Sequence, residues 1–342
     1  MAETNDTMDV TSDAPAKSHL GRAMAALFSG TGAISFAPIF AKFGSGYLGI
    51  VALAFWRVAI ALPALATYAF FKTGKHPFAD ATGHVDRRAV WMALLAGVFF
   101  GIDLSLYHMS MSYTTGGNAT LLSNCAPIFV ALAAWMIFKE RFGPVFVVGL
   151  VFAIAGAIVL SWAQTRMEVG NVYDPTGTAD ASGADTESKS LLGDLLAFGS
   201  AIFYAGYQLC IKRARKTLNT QTGMTLSMTA STIVIAIIAI ASGDAFLPSA
   251  WQGWIAILGL ALLVQLGGQV IIVYAIGHLP VSFATVGLLA QPILVMVLGW
   301  VLLGEALSGW HVVGAAAVLL GIYLARRGSD LRKTDPEPET NA

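Results

Sequence analysis

Two ionisable residues lie deep inside long apolar stretches of the sequence. Arg57 lies in the stretch 46–71, and Asp103 lies in the stretch 89–111. A charge at the centre of a bilayer costs at least ~2.5 kcal/mol, so each side chain should face a partner or a watery cavity. Two interpretations stay open: a mutual ion pair that ties two helices together, and a role in binding substrate or carrying a proton. Asp103 is the better functional candidate, because a buried carboxyl can take up and release a proton.

Polar side chains also recur at helical spacing in the other apolar stretches. Tyr107 follows Asp103 by one helical turn and therefore shares its face. Polar groups are unfavourable towards lipid, so these side chains should point inward, either joining helices or lining a cavity. We favour cavity lining because several helices would contribute to it. Ser200 lies in one polar stripe with Tyr204 and Gln208. The other candidates for substrate binding are Ser123, Asn124, Tyr204, Gln208, Gln265, Gln269 and Gln291.

Pro127 and Pro292 occupy equivalent places in a repeat within the chain. The segment Asn118–Gly156 recurs at an offset of 165 residues as Phe283–Gly321. Proline removes a backbone donor and frees a carbonyl, and matching helix breaks in two halves are a pointer to a transporter binding site. The alternative is that both prolines only bend their helices for packing. Their symmetry favours the functional interpretation.

The composition places these residues in a membrane protein. Hydrophobic residues make up 56% of the chain and charged residues 12%, whereas soluble domains carry about 25% charged residues. Several apolar runs reach the ~20 residues that cross a bilayer. The sequence therefore predicts an all-α membrane protein with ten transmembrane helices. These predicted helices are 21–42, 46–71, 89–111, 116–138, 144–163, 191–211, 223–242, 251–276, 281–303 and 309–325.

The basic residues predict the orientation of these helices. With a cytoplasmic N-terminus, most of the 20 Lys and Arg residues fall on the cytoplasmic side, as the positive-inside rule expects. Because each repeat has an odd number of helices, the second repeat enters the bilayer with opposite polarity, which makes the two five-helix repeats inverted. Both termini are then cytoplasmic. The predicted domains are a disordered tail over 1–19, repeats over 20–163 and 191–325, a flexible outer-face linker over 164–190, and a second tail over 326–342.

Motifs of several other protein classes are absent from the sequence. No Gly-x-x-x-x-Gly-Lys-Ser/Thr loop is present, which excludes an ATPase site of that type on this chain. The two cysteines, Cys125 and Cys210, lie in apolar runs and suggest neither a zinc site nor a disulfide framework. We expect no cofactor, no metal, no nucleic-acid partner and no enzymatic activity.

Short motifs give a further indication, through their order, spacing and duplication. They are Ser123–Phe129 with Trp135, Lys139–Arg141, Ala290–Ile293 with Gly304 and Glu305, Ile34–Lys42, and Phe55–Arg57. Together they resemble the EamA-type transporters of the drug/metabolite transporter superfamily, over about residues 20–325. The resemblance implies ten helices in two inverted repeats, a central cavity, and transport of small organic metabolites without nucleotide hydrolysis, often as export.

The sequence thus predicts a secondary transporter in the cytoplasmic membrane that works by alternating access. A mixed aromatic and polar cavity with one acid and one base suits an amino acid or a similar small polar metabolite. The expected partners are this solute and the lipid bilayer. Two other function classes stay open as alternatives: a membrane-embedded enzyme that uses Asp103 and His108, and a passive channel.

Overall fold

The computed structural model describes residues 14–73, 86–113, 119, 122–139, 142–170, 183–303 and 307–329. All regular elements in these residues are helices, and nine helical segments among them are long and apolar enough to cross a membrane. The all-helical prediction is confirmed at this level. The helices are α1 (Ala14–Ile34), α2 (Ala37–Ser45), α3 (Ile50–Thr73), α4 (Arg87–Ser110), α5 (Ala126–Ala133), α6 (Pro144–Gly170), α7 (Gly183–Ala214), α8 (Thr220–Ala241), α9 (Gln252–Leu258), α10 (Val270–His278), α11 (Val281–Leu288), α12 (Gln291–Leu303) and α13 (Gly309–Gly328).

The span predicted over 116–138 is the one that differs most from expectation. Its described part is the short helix α5, which continues as a π-helical turn to Phe138. A second π-helix, Gly259–Gln269, joins α9 to α10 within one long span, and we refer to it as the π-segment. The apolar pattern of the sequence did not predict either π-helix.

Breaks divide three of the spans. The chain turns between α1 and α2, between α11 and α12, and directly before α5. At the second of these breaks the N–H of Ala290 donates to the carbonyl of Gly287 at 3.1 Å, the tight pattern of a 3₁₀ turn. Proline lacks an N–H and fits the first turn of a helix, so it starts a new half-helix where it cannot continue an old one. The second residue after each break is Pro38, Pro127 or Pro292.

Several helices extend beyond their predicted ends. Within the range 164–190, which the composition predicts as a flexible linker, α6 continues to Gly170 and α7 begins at Gly183. Extending an existing helix adds one hydrogen bond for each residue fixed, so weak helix formers can follow a stable span. The helix α1 likewise begins at Ala14, inside the predicted tail 1–19. Outside the described residues lie 1–13, 171–182 and 330–342 of the predicted tails and linker, and Glu140, Arg141, Gly304 and Glu305 of the motifs.

Glycine allows a close and extensive contact between α6 and α13. A Cβ atom added at any of four glycines would collide with the facing backbone. Small residues at helical spacing let two backbones approach, which is the usual way that membrane helices associate. The other main contacts join α4 to α7 and α8, α3 to α8 and the π-segment, and α1 to α10 and the π-segment. The four glycines are Gly149, Gly156, Gly314 and Gly321.

Candidate functional site

Two buried charges lie among these central helices, each with a neutral hydrogen-bond partner. Arg57 of α3 donates through Nε to Oε1 of Gln265 in the π-segment at 3.0 Å. Asp103 of α4 accepts at Oδ1 from the hydroxyl of Ser200 in α7 at 2.6 Å. Only 6% of Arg57 and 7% of Asp103 is exposed. Both charges are therefore held inside the helix bundle rather than at its lipid-facing surface.

The two charges also influence each other through space. Asp103, Tyr204, Tyr207 and Tyr107 all contribute to the electrostatic environment of Arg57. In the described part of the chain, the direct hydrogen-bond partners of the two charged groups are neutral. Since a direct ion pair would satisfy the two charges mutually, the observed arrangement leaves both of them able to interact with a third group.

Two further hydrogen bonds cross between helices close to these charges. The Nε2 atom of Gln269 donates to the hydroxyl of Tyr207 at 3.0 Å. The hydroxyl of Thr285 in α11 lies 2.6 Å from Oε1 of Gln208 in α7. Tyr207 and Gln208 are fully buried. We call this set of side chains the central polar cluster: Arg57, Asp103, Ser200, Tyr204, Tyr207, Gln208, Gln265, Gln269 and Thr285.

Several polar atoms in and near the cluster are buried without a hydrogen-bond partner among the described residues. They include the amide nitrogen of Gln265 and, at the break before α5, Oγ of Ser123 and Nδ2 of Asn124. Buried polar groups in native proteins are nearly always paired, so each unpaired group calls for an explanation. One such explanation is that a bound ligand supplies the missing hydrogen-bond partners.

The π-segment determines where two of the glutamines lie. Gln265 and Gln269 both belong to it, and π-helical turns occur frequently at functional sites. Gly268 within the π-segment packs against Gly30 of α1, where added Cβ atoms would meet the opposing backbone. This close approach fixes the segment against α1 and so directs its polar side chains towards α3 and α7.

The remaining predicted site residues lie around the cluster. Tyr107 is half-buried on α4 and is one of the electrostatic neighbours of Arg57. Ser123 and Asn124 are half-buried at the break before α5, which packs against α7. Gln291 is half-buried as the first residue of α12. The structure thus brings Arg57, Asp103 and the residues of α7 and the π-segment together, with the residues at the breaks on neighbouring elements.

Sequence reasoning missed two members of the cluster, Tyr207 and Thr285. Tyr207 falls between Tyr204 and Gln208 but outside their four-residue spacing, so the polar stripe did not include it. Thr285 has a counterpart in the first repeat, Thr120, and that recurrence was the available signal. Tyr207 also contacts the ring of Phe100, with 4.7 Å between the ring centroids.

A shallow groove lies apart from the cluster, near the end of α5. It has a volume of about 360 Å³ and is lined by Ala131, Leu132, Trp135 and Phe142. Its lining is apolar, so it suits a lipid chain better than a polar solute. In the part of the chain that the structure describes, no three His, Cys, Asp or Glu side chains lie together as a metal site would require.

Comparisons with known proteins agree with this architecture. A family model described as the EamA-like transporter family matches residues 22–162 and 191–327. An uncharacterized transporter from Archaeoglobus fulgidus is 25% identical over 292 residues, which cover 84% of this chain and 91% of the relative. The human protein solute carrier family 35 member G1 is 24% identical over 188 residues, or 54% of this chain and 47% of its own. A solved crystal structure with 19% identity superposes with a TM-score of 0.66, covering 92% of this chain and 99% of the other, which shows a shared fold.

Proposed function

The chain belongs to the EamA-like transporter family, and on that premise we propose that it is a secondary transporter that moves a small organic metabolite outward across the cytoplasmic membrane by alternating access. The observation that carries this proposal is the central polar cluster. Two charges and several amide and hydroxyl groups are buried together where apolar helices meet. Ionisable groups inside a membrane bundle mark a solute or ion pathway by default.

The helix contacts support two inverted five-helix repeats as the basis of this mechanism. The family model matches the chain twice, once in each half. When the two repeats are exchanged, each helix takes the place of its counterpart. The contacts of α4 with α7 and α8 then map onto the contacts that the span formed by the π-segment and α10 makes with α1 and α3. The contacts of α3 with α8 and of α6 with α13 correspond to themselves. We therefore divide the core into a first bundle of α4, α5, α7 and α8 and a second bundle of α1–α3, α9–α12 and the π-segment.

The hydrogen bonds of the cluster fall into two groups, those within one bundle and those between the two bundles. The Arg57–Gln265 bond lies within the second bundle, and the Asp103–Ser200 bond lies within the first. Among the described hydrogen bonds of the cluster, the two that join the bundles are the bond from Gln269 to Tyr207 and the bond between Thr285 and Gln208. Each neutral bond contributes about 0.5–1.5 kcal/mol net. Within the cluster, rocking the bundles apart would break two such bonds, a cost in the range that separates interconverting states.

The proposed solute is an amino acid or a similar small polar metabolite, which Asp103 contacts directly or drives by carrying a proton. Both termini lie in the cytoplasm in this proposal, as the distribution of basic residues favours. The enzyme alternative gains no support from geometry. Asp103 hydrogen-bonds to Ser200 on α7, and His108 hydrogen-bonds through Nδ1 to the carbonyl of Leu104 in its own helix.

Counterflow in liposomes tests the proposal directly. Purified protein is reconstituted into liposomes that contain one unlabelled metabolite at high concentration. Uptake of the same metabolite in labelled form is then followed, and the assay is repeated for each metabolite of a set. We expect saturable accumulation above equilibrium, because a carrier exchanges solute through an occupied site. Flux without saturation or counterflow would identify a channel, and a chemically altered solute would identify an enzyme. Either result, or the absence of flux for every metabolite tried, would overturn the proposal.

A further inference from the structure

We propose that the central polar cluster selects solutes that carry a carboxylate group, which Arg57 and Gln265 bind together through N–H donors. This inference rests on the proposed transport function and adds the chemical class of the solute. Neither residue type by itself specifies that class. The way in which the two side chains are joined does.

The hydrogen bond between Arg57 and Gln265 fixes which way the amide of Gln265 points. A guanidinium group only donates hydrogen bonds, so the amide atom that faces Nε of Arg57 at 3.0 Å must be the oxygen. The amide N–H₂ group then points the other way. Gln265 is fully buried, and its nitrogen meets no acceptor among the described residues. The amide oxygen of Gln265, the acceptor of this pair, is occupied by Arg57. The groups that Arg57 and Gln265 can offer to a solute are therefore N–H donors.

Gln208 contributes differently, because its orientation is adjustable. The single hydroxyl proton of Thr285 has two possible acceptors, Oε1 of Gln208 at 2.6 Å and the carbonyl of Val281 at 2.7 Å. When the proton goes to Val281, the Thr285 oxygen can accept from a rotated Gln208 amide instead. Gln208 can therefore offer a solute either a donor or an acceptor. Gln208 therefore does not distinguish charged from neutral solutes. The selectivity for a negatively charged group comes from Arg57 and Gln265.

A carboxylate fits the donor pair in both shape and charge. Its two oxygens accept N–H bonds from a planar guanidinium, and such charge-assisted bonds are stronger than neutral ones. Asp103 lies within electrostatic reach of Arg57, so its carboxyl limits how much further negative charge the site can hold. A solute with one negative charge is favoured over one with two.

Aromatic side chains beside the donors indicate the rest of the solute. The ring of Tyr207 lies 5.9 Å from that of Tyr204 and 4.7 Å from that of Phe100. Both tyrosines are among the electrostatic neighbours of Arg57, and the hydroxyl of Tyr207 accepts from Gln269, which lies about one turn from Gln265, so these side chains share a region of the bundle with the donor pair. An apolar or aromatic body next to the carboxylate would pack on these rings.

The test compares solutes that differ only in their head group. One triple is phenylacetate, phenylacetamide and 2-phenylethylamine, and an aliphatic triple is isovalerate, isovaleramide and isopentylamine. The Kd of each is measured on the purified full-length protein, and competition with counterflow is measured in the same proteoliposomes. We expect each acid to bind at least about tenfold more tightly than its amide or amine, as a charge-assisted bond to Arg57 requires.

Gln265→Glu removes the donor while it keeps the shape of the side chain and the oxygen that Arg57 contacts. We expect this variant to lose about tenfold or more in affinity for the acids and to keep its affinity for the amides within about twofold. Gln252→Glu is the matched control, because it makes the same change at the outer end of the same helical span, at the start of α9. The control should bind all six solutes as the parent does.

The possible results distinguish the carboxylate assignment from the transport function. The carboxylate assignment is supported if Gln265→Glu loses affinity for the acids while the control Gln252→Glu keeps it. If the amide or the amine binds as tightly as the acid, or if no acid binds while the parent shows counterflow with other metabolites, the assignment is wrong and the transport function stands. If the parent shows counterflow with no metabolite at all, the transport function fails and the assignment fails with it.

Discussion

At the scale of single residues, the bonding of Arg57 and Asp103 determines what the buried charges can do. Each charge is stabilised by one hydrogen bond with a neutral side chain: Arg57 donates to Gln265, and Asp103 accepts from Ser200. A buried ion pair is hard to separate, since each partner would be left uncompensated in a low dielectric. Neutral partners stabilise a charge without cancelling it. The two groups can therefore respond to a solute or a proton without breaking an ion pair.

Replacing Asp103 with asparagine separates the charge of this residue from its shape. Asp103→Asn keeps an oxygen that can accept from the Ser200 hydroxyl, so we expect the variant to insert and fold. Transport should fall by about tenfold or more, as the loss of one charged hydrogen-bond partner implies. The residual transport rate of the variant should not change with pH. Counterflow between pH 5 and pH 8 measures both quantities. Ser200→Ala is the control that keeps the carboxyl, and an Asp103→Asn variant with the rate and pH profile of the parent would make Asp103 structural only.

At the scale of elements, the breaks and the π-segment place the polar residues, and the sequence predicted only some of them. Pro127 and Pro292 indicated their breaks because they recur in the repeat. The break before Pro38 has no repeated proline to indicate it, since the corresponding span α7 is continuous. The π-segment left no signal, because nearly every position around Gln265 is apolar and a shift of one residue in the backbone bonding does not change such a pattern.

The prolines at the breaks are expected to act on turnover. Pro127→Ala and Pro292→Ala restore a backbone N–H, so the half-helix can extend back across the break without loss of any polar side chain. We expect each variant to fold and to bind solute within about twofold of the parent, while its counterflow rate falls several-fold because one facing state is favoured. Pro144→Ala is the matched control, since Pro144 starts α6 away from any break. Parent rates in both variants would make these prolines packing features.

The start of α4 depends on a carboxylate outside the membrane. Asp86 accepts from the N–H of Ala89 and of Arg88 and from the hydroxyl of Thr217. The bond from Ala89, followed by the one from Thr217, lowers the pKa of Asp86 below its ordinary value. A lowered pKa means that the ionised cap stabilises the fold at neutral pH and that this contribution is lost as the pH falls below about 3.9.

Asp86→Ala should therefore lower the Tm of the purified protein at pH 7, and the difference from the parent should shrink in acid. The effect is small because Asp86 is at the solvent-exposed end of the helix, where charges are screened. Thermal unfolding at several pH values measures it. Thr217→Val, which removes only one of the three donors, should lower the Tm less. A difference that stays constant from neutral to acidic pH would show that the charge of Asp86 does not contribute.

At the scale of the whole molecule, the repeat was predictable from the sequence, but the contacts between the two halves were not. The recurrence of Asn118–Gly156 as Phe283–Gly321 predicts related halves without any structure. The bonds from Gln269 to Tyr207 and between Thr285 and Gln208 depend on how helices of different bundles are aligned along their axes. That alignment follows from packing in three dimensions, and no spacing along one helix encodes it.

A lysine joins the bundles at the end of the molecule that we assign to the cytoplasm. Lys212 of α7 donates through Nζ to the carbonyls of Ile276, Gly277 and Leu279 at 2.8–3.2 Å. These carbonyls lie at the C-terminal end of α10, where a cation is favourable. In the first repeat, Lys42 holds the corresponding place when Phe28 is matched to Phe198, and its side chain is exposed.

This difference between Lys212 and Lys42 leads to a prediction about alternating access. If the two repeats exchange conformations, Lys42 should bind the C-terminal end of α4 in the opposite state, so Lys212→Gln and Lys42→Gln should favour opposite facing states. The reporter is Tyr204→Cys in a background without Cys125 and Cys210, labelled from each side of membrane vesicles by an impermeant thiol reagent. Lys212→Gln should raise labelling from the cytoplasmic side several-fold, because a charge-assisted bond of about 1.5–3 kcal/mol between the bundles is removed at the end that we assign to the cytoplasm. Lys42→Gln should lower it, and the double variant should return towards the parent. A shift in the same direction for both variants would contradict an exchange of roles between the repeats.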